Sequence, residues 1–468
     1  MDYKEFFKGK KATQIGLGLL GRGVGDADFL ARNLDRLTVT DLKKKEDLEP
    51  SLKKLAGYTN IDYVFGEHRL SDFADKDFIL KAAGVPLDSP YINEARKNKI
   101  PIEMDASLFF KLAMAKGTPG KPFIKFIGVT GTRGKSTTTV MIYEVLKRAG
   151  KRVFLAGNIK DIATLPLIEK IEEGDYVVAE LDSWQLQGFA EIGMSPQYAV
   201  FTNFMPDHMN YYKGSMEAYF EDKSAIFRNQ KKGDTLIVGE GAEHLVKGKT
   251  QADIVVAKEK NLKGGALPYM HGEHNLLNAA CAVTLCDIFG INRQLIWHVF
   301  STFRGLTGRM EFLREYDGVV YFNDTNATTP DATIAGLKAL CPHALEDELR
   351  IVLIAGGTDK GLDPAPLSEA VARYCKGLVL LPGTGTDKLL PMLERINYDY
   401  SKIDKVSNLE EALAQARKRA SKGDIVLFSP AFTSFGLFKN EYDRGERYIT
   451  LVSHIGLEDF LRQNSSKR

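Results

Sequence analysis

A chain of 468 residues, 44% hydrophobic and 26% charged, holds enough apolar material for about three domains of roughly 150 residues each. Its 63 basic and 61 acidic residues leave a formal net charge of +2, which excludes a nucleic-acid or membrane-surface binder that works by bulk charge. Four cysteines without a CxxC pair, no apolar run near the roughly 18 residues of a membrane helix, and an N-terminus without a secretion signal's layout point to a cytoplasmic protein.

The first segment opens on Thr13-Gln14-Ile15-Gly16-Leu17-Gly18-Leu19-Leu20-Gly21, a GxGxxG turn before a helical stretch. Asp41 ends the next apolar run, about 20 positions on, where a dinucleotide site places a ribose-binding carboxylate. Short apolar runs then alternate with polar helical ones (77–80, 88–99, 100–102), which predicts a parallel sheet with crossover helices. Residues 117–122, Gly-Thr-Pro-Gly-Lys-Pro, read as a linker.

The stretch Lys125 to Ile142 is predicted to run from a buried strand through a Gly-rich turn into a helix. Gly131-Thr132-Arg133-Gly134-Lys135-Ser136-Thr137 can cradle a triphosphate: the glycines let main-chain N–H groups converge, the helix start adds its dipole, Lys135 a charge and Ser136 a hydroxyl for Mg²⁺. Three further apolar runs end at Asn158, at Glu180 and at Asn203, the last followed by Asp207-His208. Ligands of an open parallel sheet collect beyond the carboxyl ends of its strands, so Asn158, Glu180, Asp207 and His208 are delivered to the phosphate edge. Lys223 lies on a later helix, and by type alone it is a surface lysine paired with Glu221 or Asp222, or a phosphate contact. Asn275 and Asn278 share a helix face. Cys281 and Cys286, five apart in an apolar run, are expected as separate core positions.

Strands are predicted again at 319–324, 349–357, 378–383 and 425–430, with a helix capped by Ser407 and Glu410. The polar end from Gln463 to Arg468 is expected to fray.

Taken in order, these fragments resemble the Mur ligases over nearly the whole chain: the phosphate loop; Glu180-Leu181-Asp182-Ser183-Trp184-Gln185-Leu186; Asp207-His208-Met209 with Lys223; His274-Asn275 with Asn278; Gly305-Leu306 with Arg309-Met310-Glu311; Asn323 to Thr328; Gly356 to Gly361; and Ser429 to Gly445. The resemblance implies an α/β protein of three domains: a Rossmann-like domain at 1–110 for the UDP-linked substrate, a P-loop ATPase-like domain at 111–306, and a Rossmann-like domain at 307–468 for an amino acid. It implies that Gly18, Leu19 and Asp41 face the UDP part of the substrate, and that Asn158 meets its muramoyl-alanine part. Asn275 and Asn278 are implied on the adenine side of ATP, Arg309 at its phosphates and Asp324 at its ribose. Lys360, Thr328, Ser434 and the backbone at Phe435 are implied around the amino acid.

The implied reaction, catalysed by a monomer, joins D-glutamate to UDP-N-acetylmuramoyl-L-alanine through an acyl phosphate. Catalysis would fall to Lys135, His208 and Lys223. Two Mg²⁺ ions would be held by Ser136, Glu180, His208 and a CO₂-derived carbamate on Lys223. Sites on separate domains would have to converge, so closure of the third domain is expected. Arg133, Glu441, Asn326 and Ala82-Ala83-Gly84 depart from the family pattern, and Glu441 leaves open another amino acid such as L-glutamate. An NAD-binding dehydrogenase stands as the other reading of Gly16, Gly18, Gly21 and Asp41.

Overall fold

The computed structural model describes residues 2–18, 21–118, 120–159, 162–209, 211–265, 267–270, 272–340, 349–434 and 436–456. The expectations at Leu19, Phe435 and 463–468 lie outside them. The chain divides into two compact units, Met1–Gly264 with Leu277–Val299, and Gly265–Leu276 with Phe300–Arg468. No helix of the described residues is long and apolar enough to cross a membrane.

The first unit holds two parallel sheets. The first sheet comprises β1 (Lys11–Ile15), β2 (Arg36–Asp41), β3 (Ile61–Phe65), β4 (Phe78–Lys81) and β5 (Ile102–Glu103), in the order β3-β2-β1-β4-β5. The second comprises β6 (Lys125–Thr130), β7 (Val153–Gly157), β8 (Tyr176–Glu180), β9 (Tyr198–Phe201), β10 (Thr235–Gly239) and β11 (Asp253–Ala257), in the order β11-β10-β9-β6-β8-β7. Successive strands fill one side of β1 and of β6 and then the other. Each of these two strands is therefore a topological switch point, with a crevice at its carboxyl end. The segment after β1 is the GxGxxG turn, and that after β6 is the phosphate loop.

Strand β8 is buried at every position and β6 at all but its first residue, as helix cover on both faces requires. One apolar core runs from Phe7 and Phe29 through Phe109, Phe126 and Phe189 to Val246, so the two sheets are packed as one body. The helix Asp105–Ala115 contributes Leu108, Phe109 and Leu112 to that core and runs through position 110. Within the expected linker, Thr118 N–H donates to Lys121 O (3.1 Å) and Lys121 N–H to Thr118 O (2.9 Å). Cys281 and Cys286 are buried, as their apolar run implies.

The second unit holds β12 (Glu311–Tyr316), β13 (Val319–Asn323), β14 (Ile351–Gly356), β15 (Cys375–Leu381), β16 (Ile403–Lys405) and β17 (Ile425–Phe428), in the order β12-β13-β17-β14-β15-β16. Only β12 is antiparallel among the described pairings. It hairpins into β13 through Asp317 and Gly318, both at positive φ (51° and 75°), the geometry of a type I′ turn. The Asp-Gly pair was the available signal for this hairpin, hidden by the charged residues of β12. The helix cap expected at Ser407 lies one residue later. Asn408 caps Leu409–Arg419 by accepting from Glu411 N–H (2.8 Å), and the Glu411 carboxylate returns to Ser407.

Candidate active site

In the first unit the phosphate loop is tied down by the segment that follows β9. Asn203 accepts from Arg133 N–H at its Oδ1 (2.8 Å), while Thr202 Oγ1 donates to Arg133 O (2.6 Å). Thr132, almost fully buried, donates to Met205 O (3.1 Å) and accepts from Met205 N–H. These ties leave no room for a side chain at the two loop glycines: a Cβ would sit 2.0 Å from Thr202 Oγ1 at Gly131 and 1.9 Å from Asn278 Oδ1 at Gly134. Asn278, expected on the adenine side, packs against the loop itself at Gly134. Asn275 is buried on the same helix, Glu273–Ile288. Ser136 and Thr137 lie half-buried in the first turn of the helix Lys135–Arg148, and Arg133 is exposed.

Two lysines meet at the loop. Lys135 Nζ donates to Gly131 O (3.1 Å) and Thr132 O (2.9 Å), and Lys223 Nζ donates to the same Gly131 O at 2.7 Å. Lys223 is 1% exposed, which rules out the surface-lysine reading. Its supposed partners are engaged elsewhere: Glu221 pairs with Arg228, and Asp222 accepts from Gln187 Nε2 (2.8 Å) and Tyr212 OH (2.9 Å). Burial, and then the charge of Lys135, hold the Lys223 amine well below the usual lysine range, against the pull of Asp182, Asp207 and Glu180.

Glu180 is buried at the end of β8 and accepts weakly from Asn158 Nδ2 (3.4 Å), so these two strand ends meet as expected. His208 is held at φ 54°, a left-handed conformation uncommon outside glycine. Its N–H donates to Asp207 Oδ1 (3.0 Å), and its ring lies 4.7 Å from that of Trp184. Burial lowers its pKa; Asp207 opposes this, while Lys135 and Lys223 reinforce it, so the neutral imidazole is favoured.

The sequence reading named Asn203, Asp182 and Asp222 but gave none of them these contacts, and it missed Gln187 and Tyr212. Only Asp182 carried a recognisable signal, since Asp182 and Gln185 form a capping box at the start of Ser183–Glu191.

At the first switch point, Asp41 does not stand free. Its Oδ2 accepts from Leu17 N–H (2.9 Å) and Gly18 N–H (3.0 Å), and its Oδ1 from Lys43 N–H (2.9 Å). Burial would raise its pKa, but these bonds outweigh burial and keep it below the usual carboxylate range. The carboxylate sets the shape of the glycine turn.

In the second unit the loops after β13, β14 and β17 join at the carboxyl ends of three neighbouring strands. Ala431 N–H donates to Ala327 O (2.9 Å), and Thr358 and Thr433 exchange main-chain bonds of 3.1 and 3.0 Å. This brings Thr328, Lys360 and Ser434 into one loop cluster, where Lys360 Nζ donates to Thr328 Oγ1 (3.1 Å). Buried Arg444 ties it from beneath, donating to Thr325 Oγ1 (3.0 Å), Thr325 O (2.7 Å) and Phe432 O (3.2 Å). Glu441 opens the helix Glu441–His454 and its charge bears on Arg444.

Asp324 is buried beyond the end of β13. It accepts from Ser429 OH (2.8 Å) and Met310 N–H (3.1 Å), while Arg309 is exposed with its charge bearing on Asp324. Burial raises the Asp324 pKa to about 7 against these contacts. An unfolded aspartate titrates near 3.9, so the native state holds the extra proton between about pH 4 and pH 7, and stability falls as pH rises through that window. Chemical denaturation from pH 4.5 to 8 is expected to show this decline, at most about 4 kcal/mol, and Asp324→Asn is expected to flatten it.

Comparison with known proteins places these features in a family. Residues 129–266 match the Mur ligase middle domain, and residues 308–432 match the Mur ligase glutamate ligase domain. A UDP-N-acetylmuramoylalanine–D-glutamate ligase of a Roseiflexus species is 36% identical over 95% of this chain and 98% of its own length. The ligase of the same name from Borreliella burgdorferi strain ZS7 is 32% identical over 94% of this chain and 97% of its own. Among solved structures, a UDP-N-acetylmuramate-alanine ligase from Thermotoga maritima has the same fold, with a TM-score of 0.57 at 20% identity, covering 95% of this chain and 99% of that one.

Proposed function

The chain belongs to the Mur ligase family, and from that membership we propose that it joins D-glutamate to UDP-N-acetylmuramoyl-L-alanine, as an ATP-dependent ligase of peptidoglycan precursor synthesis. The observation that carries this reading is the meeting of Lys135 and Lys223 on one loop carbonyl, with Glu180, Asp207 and His208 at the neighbouring strand ends. Amide formation from a free carboxylate in water is uphill, so the acid must be activated. The alanyl carboxylate attacks the γ-phosphorus of ATP and releases ADP. The amine of the amino acid then attacks the acyl carbon, loses a proton and expels phosphate. Two anions must approach in the first step, so stabilisation of charge is the main catalytic requirement.

Lys135 and the main chain of 131–136 would hold the β- and γ-phosphates. Among the described residues no group of three or more His, Cys, Asp or Glu side chains could hold a metal ion. The hydroxyl of Ser136, the buried carboxylate of Glu180 and the neutral imidazole of His208 nonetheless suit a hard cation whose remaining ligands come from phosphate oxygens. Bound Mg²⁺ would neutralise charge between carboxylate and phosphate: Ser136 and Glu180 would hold one ion, His208 and a carbamate on Lys223 a second. A lysine whose amine is neutral can attack CO₂, forming the N–C bond and losing a proton, and burial beside Lys135 supplies that condition.

Gly18, Leu19 and Asp41 are assigned to the UDP moiety and Asn158 to the muramoyl-alanine moiety. Asn275, Asn278, Arg309 and Asp324 are assigned to ATP. Thr328, Lys360, Ser434 and Phe435 are assigned to the glutamate carboxylates. The three domains at 1–110, 111–306 and 307–468 carry these roles in that order. The dehydrogenase reading gives way to the family match over 129–266 and 308–432 and to relatives that are D-glutamate ligases over nearly the whole chain.

The test is phosphate release from ATP with UDP-N-acetylmuramoyl-L-alanine and a panel of D- and L-amino acids. Release that requires both the acid and D-glutamate is expected. A preference for L-glutamate or another amino acid would overturn the assignment of the second substrate.

A further inference from the structure

Trp184 is the second residue of the helix Ser183–Glu191 and lies beside the proposed reaction site without a role in it. Its ring packs 4.7 Å from His208 and 5.5 Å from Tyr211. Its indole Nε1 is buried and has no hydrogen-bond partner among the described residues. An unmatched buried N–H forfeits free energy comparable to a lost hydrogen bond, so such a group in a native fold calls for an explanation, and a ligand acceptor is one.

The surroundings identify the ligand. The Tyr211 hydroxyl accepts from Gln187 Nε2 (3.1 Å), and the main chain of Leu87, in the loop that follows β4, lies near enough to act on its acidity. Lys213 pairs with Asp88 of that loop at 3.8 Å. Trp184 therefore stands between the carboxyl edge of the first sheet and the group around His208, all within one compact unit. A substrate anchored by its nucleotide at the first sheet, with its carboxylate at His208, has to pass this position.

We propose that the indole N–H of Trp184 donates to an oxygen of the sugar–peptide part of the acid substrate, which makes Trp184 a further residue that recognises that acid. The inference rests on the ligase reading above. An aromatic ring without the N–H separates this role from simple packing against His208.

The experiment is steady-state phosphate release by wild type, Trp184→Phe and Trp184→Leu, with UDP-N-acetylmuramoyl-L-alanine and ATP varied separately. For Trp184→Phe the expected result is a KM for the acid raised about tenfold, as for one lost hydrogen bond, with KM for ATP unchanged and kcat reduced less than about threefold. Trp184→Leu, which also removes the ring from His208, is expected to lose kcat as well. A Trp184→Phe enzyme with wild-type KM for the acid, or with both KM values raised equally, overturns the inference.

If the variants fail to fold, Trp297→Phe leaves Trp184 as the single tryptophan of the chain. Its fluorescence is expected to change on titration with UDP-N-acetylmuramoyl-L-alanine and not with ATP, and an unchanged signal overturns the inference. Wild type that releases no acid-dependent phosphate sinks the ligase reading and this inference together. An active wild type beside an unaffected Trp184→Phe sinks only the inference.

Discussion

Replacing Lys223 with alanine is expected to lower kcat by at least about a thousandfold, some 4 kcal/mol of barrier, while leaving the fold intact by circular dichroism. The size of the effect follows from where the amine sits. A surface lysine paired with a neighbouring carboxylate contributes little, and its loss would be barely measurable. Lys223 is buried and bound to Gly131 O, and neither adjacent carboxylate is paired with it. Burial and Lys135 both disfavour its ammonium form, which favours the neutral amine that the proposed carbamate requires. Two further outcomes separate the carbamate from a plain phosphate contact. Intact mass at high bicarbonate should show the added CO₂, and a short carboxylic acid should restore part of the activity of Lys223→Ala. A variant that keeps a tenth of the wild-type rate would contradict the assignment.

The second large effect is expected from Gly131→Ala. The residue sits at φ 147°, a conformation L side chains rarely adopt, and its added Cβ would meet Thr202 Oγ1 at 2.0 Å and Asn203 N at 3.1 Å. Thr202 Oγ1 is itself bonded to Arg133 O, so it cannot retreat without releasing the loop. Strain of this kind costs about 1–3 kcal/mol before any contact is lost. The consequence is larger than the strain, because Gly131 O is the shared acceptor of Lys135 and Lys223. We expect kcat/KM for ATP to fall by more than about a hundredfold, with a lowered Tm. Near-normal kinetics would mean that the loop does not need its present shape.

The sequence was most readable where local chemistry decides structure. The strand–turn–helix at 125–142 needs glycine at two fixed places and begins with a switch-point strand, so its signal is local. Asn158, Glu180 and His208 were legible for the same reason: strand ends in a parallel sheet deliver their next residues to one edge. What could not be read depends on distant pairing. The burial of Lys223 comes from the packing of its helix against the loop, and an isolated Glu221-Asp222-Lys223 run suggests the opposite. Asp41 fitted a ribose-binding pattern, yet its carboxylate serves Leu17, Gly18 and Lys43. Arg444 looked like one motif residue among several, and only the fold shows it joining the loops at Thr325 and Phe432.

The central claim is that the sugar-peptide acid is phosphorylated by ATP before an amine captures it. The most direct measurement uses substrate whose alanyl carboxylate carries ¹⁸O, with the released phosphate analysed by mass. Attack of that carboxylate on the γ-phosphorus leaves one of its oxygens in the phosphate when the amide forms, so each phosphate should carry a single ¹⁸O. Phosphate free of the label, formed in step with the amide product, would contradict the account.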